Sequence, residues 1–209
     1  MELELKPLNI LIGVNGSGKS NFINFFKFMN KILEQDLQLY VAQKGTSESF
    51  LHFGSKRTRE INIKLFFYPN GYDLKLVPTS DGKLVFEYEW ISYQRPEYDS
   101  PVSYSTGVKP GDTESHLKES KQPVADHVRR YLDSWKIYHF HDTSDTARVK
   151  AVSNINDNIR LHPNGDNLAA FLFSIKETES YQSIIKTIQR VAPFFHDFIF
   201  HGPVINLRL

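Results

Sequence analysis

The stretch Leu8-Asn-Ile-Leu-Ile-Gly-Val-Asn-Gly-Ser-Gly-Lys-Ser-Asn21 decides the fold of this 209-residue chain. Its second half, Gly13–Ser20, meets the pattern G-x-x-x-x-G-K-[ST] in full. The apolar run Leu8–Ile12 predicts a buried strand before the loop, and apolar residues at helical spacing predict a helix over Asn21–Leu33 after it. A strand, a glycine-rich loop and a helix in this order bind phosphate groups. The sequence therefore predicts a nucleotide-binding protein.

The residues of this loop have separate predicted roles. Backbone N–H groups point inward to the phosphates, and the positive end of the helix dipole adds to the field. Lys19 is expected to reach the β- and γ-phosphates, and the Ser20 hydroxyl is expected to bind Mg²⁺. Gly13, Gly16 and Gly18 are expected where a Cβ would block the turn or the approach of a phosphate.

Composition excludes several classes of protein. The net charge of +1 gives no long-range field toward nucleic acid or an anionic membrane. The chain has no cysteine, so disulfides, cysteine-type zinc sites and thiol catalysis are excluded. The N-terminal residues do not form a signal peptide, and no apolar run approaches the ~20 residues of a membrane helix. We therefore expect a cytoplasmic protein without a membrane partner.

A β-meander is predicted after the first helix. Alternating apolar residues predict a strand over Ile61–Phe67, a second over Tyr72–Val77 and a third over Leu84–Trp90. Asn70-Gly71 and Asp81-Gly82 are predicted as the two tight turns between them. Three antiparallel strands after a phosphate-binding helix differ from the uninterrupted βαβ alternation of nucleoside kinases and GTPases.

The elements of the remaining chain are predicted from loop-forming and helix-capping residues and from the periodicity of apolar residues. Pro, Gly and Ser residues in segment 94–122 predict a long exposed loop, partly disordered. A helix is predicted after Pro123, a strand over Lys136–Phe140, a helix capped by Asp166 or Asn167, and a helix capped by Ser180 that ends at Pro193. The apolar stretches Phe194–Phe200 and Val204–Leu209 are predicted as strands, and the phenylalanines of the first stretch as core or interface residues.

Leu8–Asn21 resembles the head-domain ATPases of the ABC type, which include RecF-like and structural-maintenance-of-chromosomes proteins and related predicted ATPases of the AAA family. Asn15 and Asn21 are typical of that group, and segments 135–144 and 164–172 resemble its middle region. The resemblance implies ATP and Mg²⁺ as cofactors. The implied nucleotide-binding residues are Gly13, Asn15, Gly16, Ser17, Gly18, Lys19, Ser20 and Asn21.

The fold class that follows is an α/β P-loop NTPase, an ABC-type head with an antiparallel β-meander subdomain and a helical C-terminal part. We expect residues 1–209 to form a single incomplete head, the N-terminal portion of a longer ATPase. Its expected parts are the strand, loop and helix over 1–34, the β-subdomain over 60–92, the flexible loop over 94–122, and the helices and strands of 123–209.

The catalytic residues are less well predicted. In the ABC type a polar strand-end residue, usually glutamine, reaches Mg²⁺ and the attacking water; His141, Asp142 and Gln94 are the candidates for that position. Hydrolysis also needs an apolar strand that ends in Asp-Glu, and the sequence has none. We therefore expect the isolated chain to bind ATP without turning it over.

Two other patterns have simpler explanations. Thr79–Lys83 resembles a degenerate ABC signature, but a strand-like segment follows it, so a hairpin turn is predicted. His139 and His141 lie two apart on one predicted strand, which zinc could use, but no third ligand stands out.

The resemblance implies that a second copy of the head clamps ATP in the full-length protein, which would act in DNA repair, chromosome maintenance or defence against phage. DNA or a nuclease is a further possible partner. An alternative is a non-hydrolysing, nucleotide-sensing module that presents a protein-interaction surface. A small-molecule kinase would need arginine-rich lid motifs, and the only close basic groups are Lys56-Arg57 with Arg59, and Arg129-Arg130.

Overall fold

The computed structural model of the protein describes residues 2–95, 97, 100–138, 144, 146–150, 152–200 and 204–205. The chain divides into an N-terminal unit, Met1–Trp135, and a C-terminal unit, Lys136–Leu209. The helices and strands follow in the order α1 (Lys19–Leu33), α2 (Leu37–Gln43), β1 (Ile61–Phe67), β2 (Asn70–Pro78), β3 (Leu84–Tyr93), β4 (Val102–Ser105), α3 (Ala125–Asp133), β5 (Ser153–Asn154), α4 (Leu168–Ser174), α5 (Glu179–Val191) and β6 (Val204–Ile205). Short 3₁₀ helices occupy Ser47–Phe50 and Arg148–Lys150.

The N-terminal unit is built on a four-stranded antiparallel sheet in the order β1-β2-β3-β4. One face of the sheet is buried and packs with α1, α2 and α3 around a single apolar core. Met29 and Ile32 of α1, Leu74 and Leu76 of β2, and Leu132 of α3 are fully buried there. The predicted helix after the loop and the three predicted strands are therefore confirmed.

The predicted strand Leu8–Ile12 is wrong. These residues have no regular secondary structure, and Leu8 and Ile12 are 78% and 92% exposed. A strand needs a neighbour that accepts its hydrogen bonds, and in the described part of the chain no strand pairs with this segment. An apolar run predicts β-propensity but does not supply that neighbour.

One of the two predicted turns lies elsewhere. Phe67 pairs with Asn70, so Tyr68-Pro69 joins β1 to β2, and Asn70 and Gly71 already belong to β2. Gly71 is needed in the strand because a Cβ there would meet the Ser92 side chain and lie 3.3 Å from the Leu65 carbonyl oxygen. The turn between β2 and β3 is confirmed as a hairpin turn: the Thr79 N–H donates to the Lys83 carbonyl at 3.0 Å.

A β-bulge changes which residues of β3 face the core. Lys75 pairs with Tyr88 but Leu76 pairs with Phe86, which leaves Glu87 as the extra residue of β3. One extra residue reverses the alternation of side chains beyond it. The predicted alternation Leu84, Phe86, Tyr88, Trp90 is therefore wrong in its second half, where Glu89 and Ile91 are buried and Trp90 is 46% exposed.

Segment 94–122 is not the exposed, irregular loop that its composition predicts. Strand β4 lies within it and pairs with β3. Val108 and Leu117 enter the core of the N-terminal unit, with Leu117 fully buried. A few apolar residues thus anchor a segment that is otherwise rich in Pro, Gly and Ser.

The C-terminal unit contains α4, α5 and the antiparallel pair β5-β6. Leu172, Tyr181 and Ile185 form its core, with the side chains of Phe195, Phe198 and Phe200 packed against them. Phe194, by contrast, is 84% exposed. The predicted core role of the C-terminal phenylalanines is therefore confirmed for three of the four.

Several predicted elements of the C-terminal unit need correction. Residues 136–138 and the stretch 194–200 do not form the predicted strands. Thr178, not Ser180, caps α5, because its side chain accepts a hydrogen bond from the Tyr181 N–H. Asn167 does precede α4, but its buried side chain binds the preceding loop instead of capping the helix: Oδ1 accepts from the His162 N–H at 2.8 Å, and Nδ2 donates to the Asp157 and Arg160 carbonyls.

Candidate nucleotide-binding site

The loop Gly13–Ser20 turns sharply and leads directly into α1. Gly16 and Gly18 have φ angles of +84° and +92°, in the left-handed region that only glycine adopts without cost. The Ser17 N–H donates to the Val14 carbonyl at 3.2 Å and closes the turn. A Cβ at Gly13 would lie 2.6 Å from Ser17 Oγ. Each predicted glycine thus stands where a side chain would strain the loop or fill its interior.

The Lys19 side chain folds back over the loop that precedes it. Its Nζ donates to the carbonyl oxygens of Gly13 at 2.5 Å and Val14 at 2.8 Å, and lies 3.3 Å from Ser17 Oγ. The ammonium group is therefore held by three oxygen atoms of the loop. Nζ therefore reaches oxygen atoms of the loop itself, and in loops of this type the lysine reaches phosphate oxygens.

The N-terminus of α1 follows the loop directly. The helix begins at Lys19 and has no acidic residue in its first turn, so the positive end of its dipole is not neutralised. Ser20 and Asn21 lie in this turn and are exposed, as is Asn15 in the loop. The structure therefore brings the eight predicted nucleotide-binding residues into one continuous, accessible loop and helix start.

The C-terminal half of α1 fixes this helix to the N-terminal unit. Phe28, Met29 and Ile32 are buried in the core, and the Phe26 ring contacts the Trp135 ring edge-to-face at a centroid distance of 5.0 Å. The amide of Asn30 also donates to the Trp135 carbonyl. The loop thus projects from the free end of a helix whose other end is firmly packed.

Of the candidate catalytic residues, only Gln94 lies in the described part of the chain. Gln94 follows β3, where its backbone N–H donates to the Pro69 carbonyl at 2.7 Å. His141 and Asp142 lie outside the described residues, as does His139. Within the described ranges no three His, Asp or Glu side chains are close enough to hold a metal ion.

Sequence patterns missed a buried acidic residue in the same unit. Glu89 is completely buried, and its carboxylate accepts hydrogen bonds from Tyr72 and Ser115 at Oε1 and from Thr106 and the His116 N–H at Oε2. Burial, followed by the charge of Glu89, raises the pKa of the Tyr72 hydroxyl well above its usual value, which keeps that group a donor. No local signal could reveal Glu89, because the bulge alone turns it inward.

The glycine-rich turn, the lysine that reaches into it and the helix that follows define a P-loop NTPase. Comparison with family models places the chain in a family: residues 8–205 match the model described as "AAA domain, putative AbiEii toxin, Type IV TA system". The chain therefore belongs to this AAA domain family and is a nucleotide-binding ATPase domain in the general sense. No curated protein and no solved structure matches the chain significantly. None of the helices in the described residues is long and apolar enough to cross a membrane.

Proposed function

We propose that Gly13–Asn21 binds ATP together with Mg²⁺. The observation that carries this proposal is the position of Lys19 Nζ, which folds back over the loop to 2.5 and 2.8 Å from the Gly13 and Val14 carbonyl oxygens. Phosphate oxygens are ligands of the same kind but carry charge, so they form stronger bonds with an ammonium group. The backbone of Asn15, Gly16, Ser17 and Gly18 and the start of α1 would bind the remaining phosphate oxygens.

Magnesium binding is assigned to Ser20. Its hydroxyl lies in the first turn of α1 directly after Lys19, and in loops of this type that hydroxyl binds the ion beside the phosphates. Bound Mg²⁺ would neutralise phosphate charge. Asn21 follows Ser20 on the exposed side of the same turn.

We further propose that the chain is an ABC-type, RecF-like head. The sequence around the loop supports this assignment. So does the antiparallel sheet, which follows directly after α1 and α2; a nucleoside kinase would not have such a sheet there. In such ATPases two heads clamp ATP, so a second copy of the chain is the proposed partner. DNA repair, chromosome maintenance and defence against phage are the proposed settings, with DNA or a nuclease as a further partner and the cytoplasm as the location.

The alternative is a nucleotide-sensing module that binds ATP without hydrolysis. A phosphate-release assay on the pure chain separates the two for residues 1–209. We expect no steady-state release, because the sequence has no Asp-Glu strand end to hold Mg²⁺ and orient water. Release at about one turnover per second, abolished by Lys19→Ala, would show that catalytic residues are present, with Gln94, His141 and Asp142 the first to test.

The experiment that tests the assigned site compares ATP binding with and without Mg²⁺. Filter binding with labelled ATP should show that EDTA weakens binding to the wild-type chain, and that Ser20→Ala is insensitive to EDTA. Ser134→Ala is the matched control, because Ser134 lies after α3 and its hydroxyl donates to the Tyr131 carbonyl at 2.6 Å. This variant should respond to EDTA like the wild type. Equal responses of Ser20→Ala and the wild type would contradict the proposed role of Ser20.

A further inference from the structure

An exposed aromatic ring stands on the loop that leads into β1. We call residues His52–Arg59 the Phe53 loop. Phe53 is 71% exposed, and the guanidinium carbon of Arg57 lies 5.3 Å from the centre of its ring. The His52 ring contacts Phe53 edge-to-face at 4.3 Å. A large apolar side chain is thus displayed to solvent with a cation at its face.

The backbone around Phe53 is fixed by hydrogen bonds. The Gly54 N–H donates to the carbonyl of the buried Leu51 at 3.0 Å, and the Thr58 hydroxyl donates to the His52 carbonyl at 2.6 Å. The Ser55 N–H donates to Glu48 Oε2 at 2.8 Å. The exposure of Phe53 is therefore a property of a structured turn.

Phe53 itself has an unfavourable backbone conformation. Its φ of +58° lies in the left-handed region, which bulky residues rarely adopt. Such strain persists where the surrounding structure imposes it, and it concentrates at functional sites. Here the strained residue is also the one that projects its ring outward.

Three cations accompany the ring. Lys56, Arg57 and Arg59 are exposed, and none of them forms an ion pair with a carboxylate among the described residues. The neighbouring Glu60 is engaged elsewhere, 2.7 Å from Lys75 Nζ. Lys56 also interacts electrostatically with the nearby Glu48 carboxylate. The loop therefore presents three exposed positive charges to an anionic partner.

We propose that the Phe53 loop binds single-stranded nucleic acid. A base stacks on the exposed face of Phe53, and Lys56, Arg57 and Arg59 contact the adjacent phosphates. Stacking on aromatic rings beside a basic surface is how proteins bind single strands without reading sequence. In a duplex the base faces are already stacked on one another, so a duplex cannot use Phe53.

The same residues fit an anionic membrane less well. Phe53 is a single aromatic residue between His52 and Gly54, and the loop is not an amphipathic helix with an apolar face. Local stacking is therefore the better explanation of an exposed ring beside three cations.

This surface is separate in sequence from the proposed ATP site, and its test omits nucleotide. Fluorescence anisotropy with a labelled 20-nucleotide oligo-dT should show binding by the wild-type chain, and Phe53→Ala should weaken it about fivefold to a hundredfold. Phe53→Tyr should retain the wild-type affinity, because the ring remains. Lys19→Ala should have no effect, so failure of the ATP proposal would not affect this result.

The strand β1 supplies matched controls, because it carries an exposed aromatic and an exposed basic residue. Phe66 is 65% exposed, and Lys64 is exposed near it. Phe66→Ala should leave oligo-dT affinity unchanged. The pair Lys56→Ala/Arg59→Ala should reduce the slope of log affinity against log salt by about 1.4, since each phosphate contact contributes about 0.7, and Lys64→Ala should not change it.

Three results would overturn the proposal. The first is equal affinity of Phe53→Ala and wild type for oligo-dT. The second is binding of a 20-base-pair duplex that is as tight as that of the single strand. The third is Phe53-dependent binding to phosphatidylserine vesicles without binding to oligo-dT or oligo-U, which would show a membrane contact. Phe53-dependent binding to either oligonucleotide supports the proposal, and their ratio distinguishes DNA from RNA.

Discussion

Replacement of Glu89 tests how the N-terminal unit holds its long connecting segment. The Glu89 carboxylate on β3 is the shared acceptor of a buried cluster that joins β2 to residues 106–116. Its two carboxylate oxygens accept two donors each. In Glu89→Gln one oxygen remains, and the amide NH₂ faces two donors that it cannot accept from. The shape of the side chain hardly changes, so the loss is electrostatic.

The expected cost follows from the two donors that lose their acceptor. A buried polar group without a partner costs about 1–3 kcal/mol, so Glu89→Gln should lower the free energy of unfolding by about 2–6 kcal/mol. Glu89→Ala removes the acceptor of the Tyr72 and Ser115 hydroxyls and of the His116 N–H and opens a cavity. The Thr106 hydroxyl keeps its bond to the Glu89 backbone carbonyl. That variant should therefore unfold more easily than Glu89→Gln.

Tryptophan fluorescence measures the unfolding of the N-terminal unit, to which Glu89 belongs. The chain has two tryptophans, Trp90 and Trp135, and both belong to the N-terminal unit. Urea unfolding followed by their emission therefore reports that unit. Glu87→Gln is the matched control on the same strand, because Glu87 is 47% exposed and pairs with Lys75 at the surface; it should cost at most about 1 kcal/mol. Equal midpoints for Glu89→Gln and Glu87→Gln would refute the reasoning.

Two further predictions concern other parts of the chain. Leu117→Ala should lower the free energy of unfolding by about 2–5 kcal/mol, because Leu117 is fully buried. Leu39→Ala, at a 58% exposed position, should not lower it. Urea titrations that give both variants the same stability would mean that segment 94–122 is not packed. Asp166→Asn should destabilise α4 more at pH 7 than at pH 3. Partial burial raises the pKa of Asp166, but hydrogen bonds from His162 and Asn164 outweigh it and lower the pKa. The carboxylate therefore stabilises the fold fully above its unfolded pKa of about 3.9, and the effect is lost as the pH falls through the lowered pKa of the folded state. Thermal unfolding followed by NMR signals of α4 measures this difference, and an equal loss at both pH values would contradict it.

Local patterns predicted the elements whose hydrogen bonds are local. Helix α1 and strands β1 to β3 were predicted because their side-chain periodicity is visible within one segment, and glycine at 16 and 18 was predicted because a positive φ excludes other residues. The Asp81-Gly82 turn follows the same rule. These features depend on a few neighbouring residues, which the sequence displays directly.

Features that depend on distant neighbours could not be predicted. Leu8–Ile12 has the composition of a strand, but the described residues provide no strand beside it. The alternation of residues in β3 predicts that Glu89 faces outward. The bulge opposite Lys75 and Leu76 reverses that alternation, and the sequence does not show the bulge. Segment 94–122 reads as a loop because the burial of Leu117 depends on a core built by other elements. In each case pairing or burial by residues far along the chain decided the outcome.

The glycine-rich loop and the helix after it were predicted residue by residue, because a phosphate-binding loop requires a fixed pattern in consecutive positions. The binding roles of its residues stay a prediction. The catalytic candidates were not predicted residue by residue, because they would have to reach the phosphates from separate strands. Gln94 illustrates the difference: its sequence position suggested a role, and the structure places it after β3, where its N–H donates to the Pro69 carbonyl.

Calorimetric titration of the chain with MgATP tests the central claim most directly. Lys19→Ala removes an ammonium group whose charge-assisted bond is worth about 1.5–3 kcal/mol, so it should weaken ATP binding about tenfold to a hundredfold. Lys27→Ala removes the same charge from the same helix, two turns beyond the loop, and should bind ATP like the wild type. Equal ATP affinity of the wild type and Lys19→Ala would contradict the assignment of Gly13–Asn21 as the nucleotide-binding site.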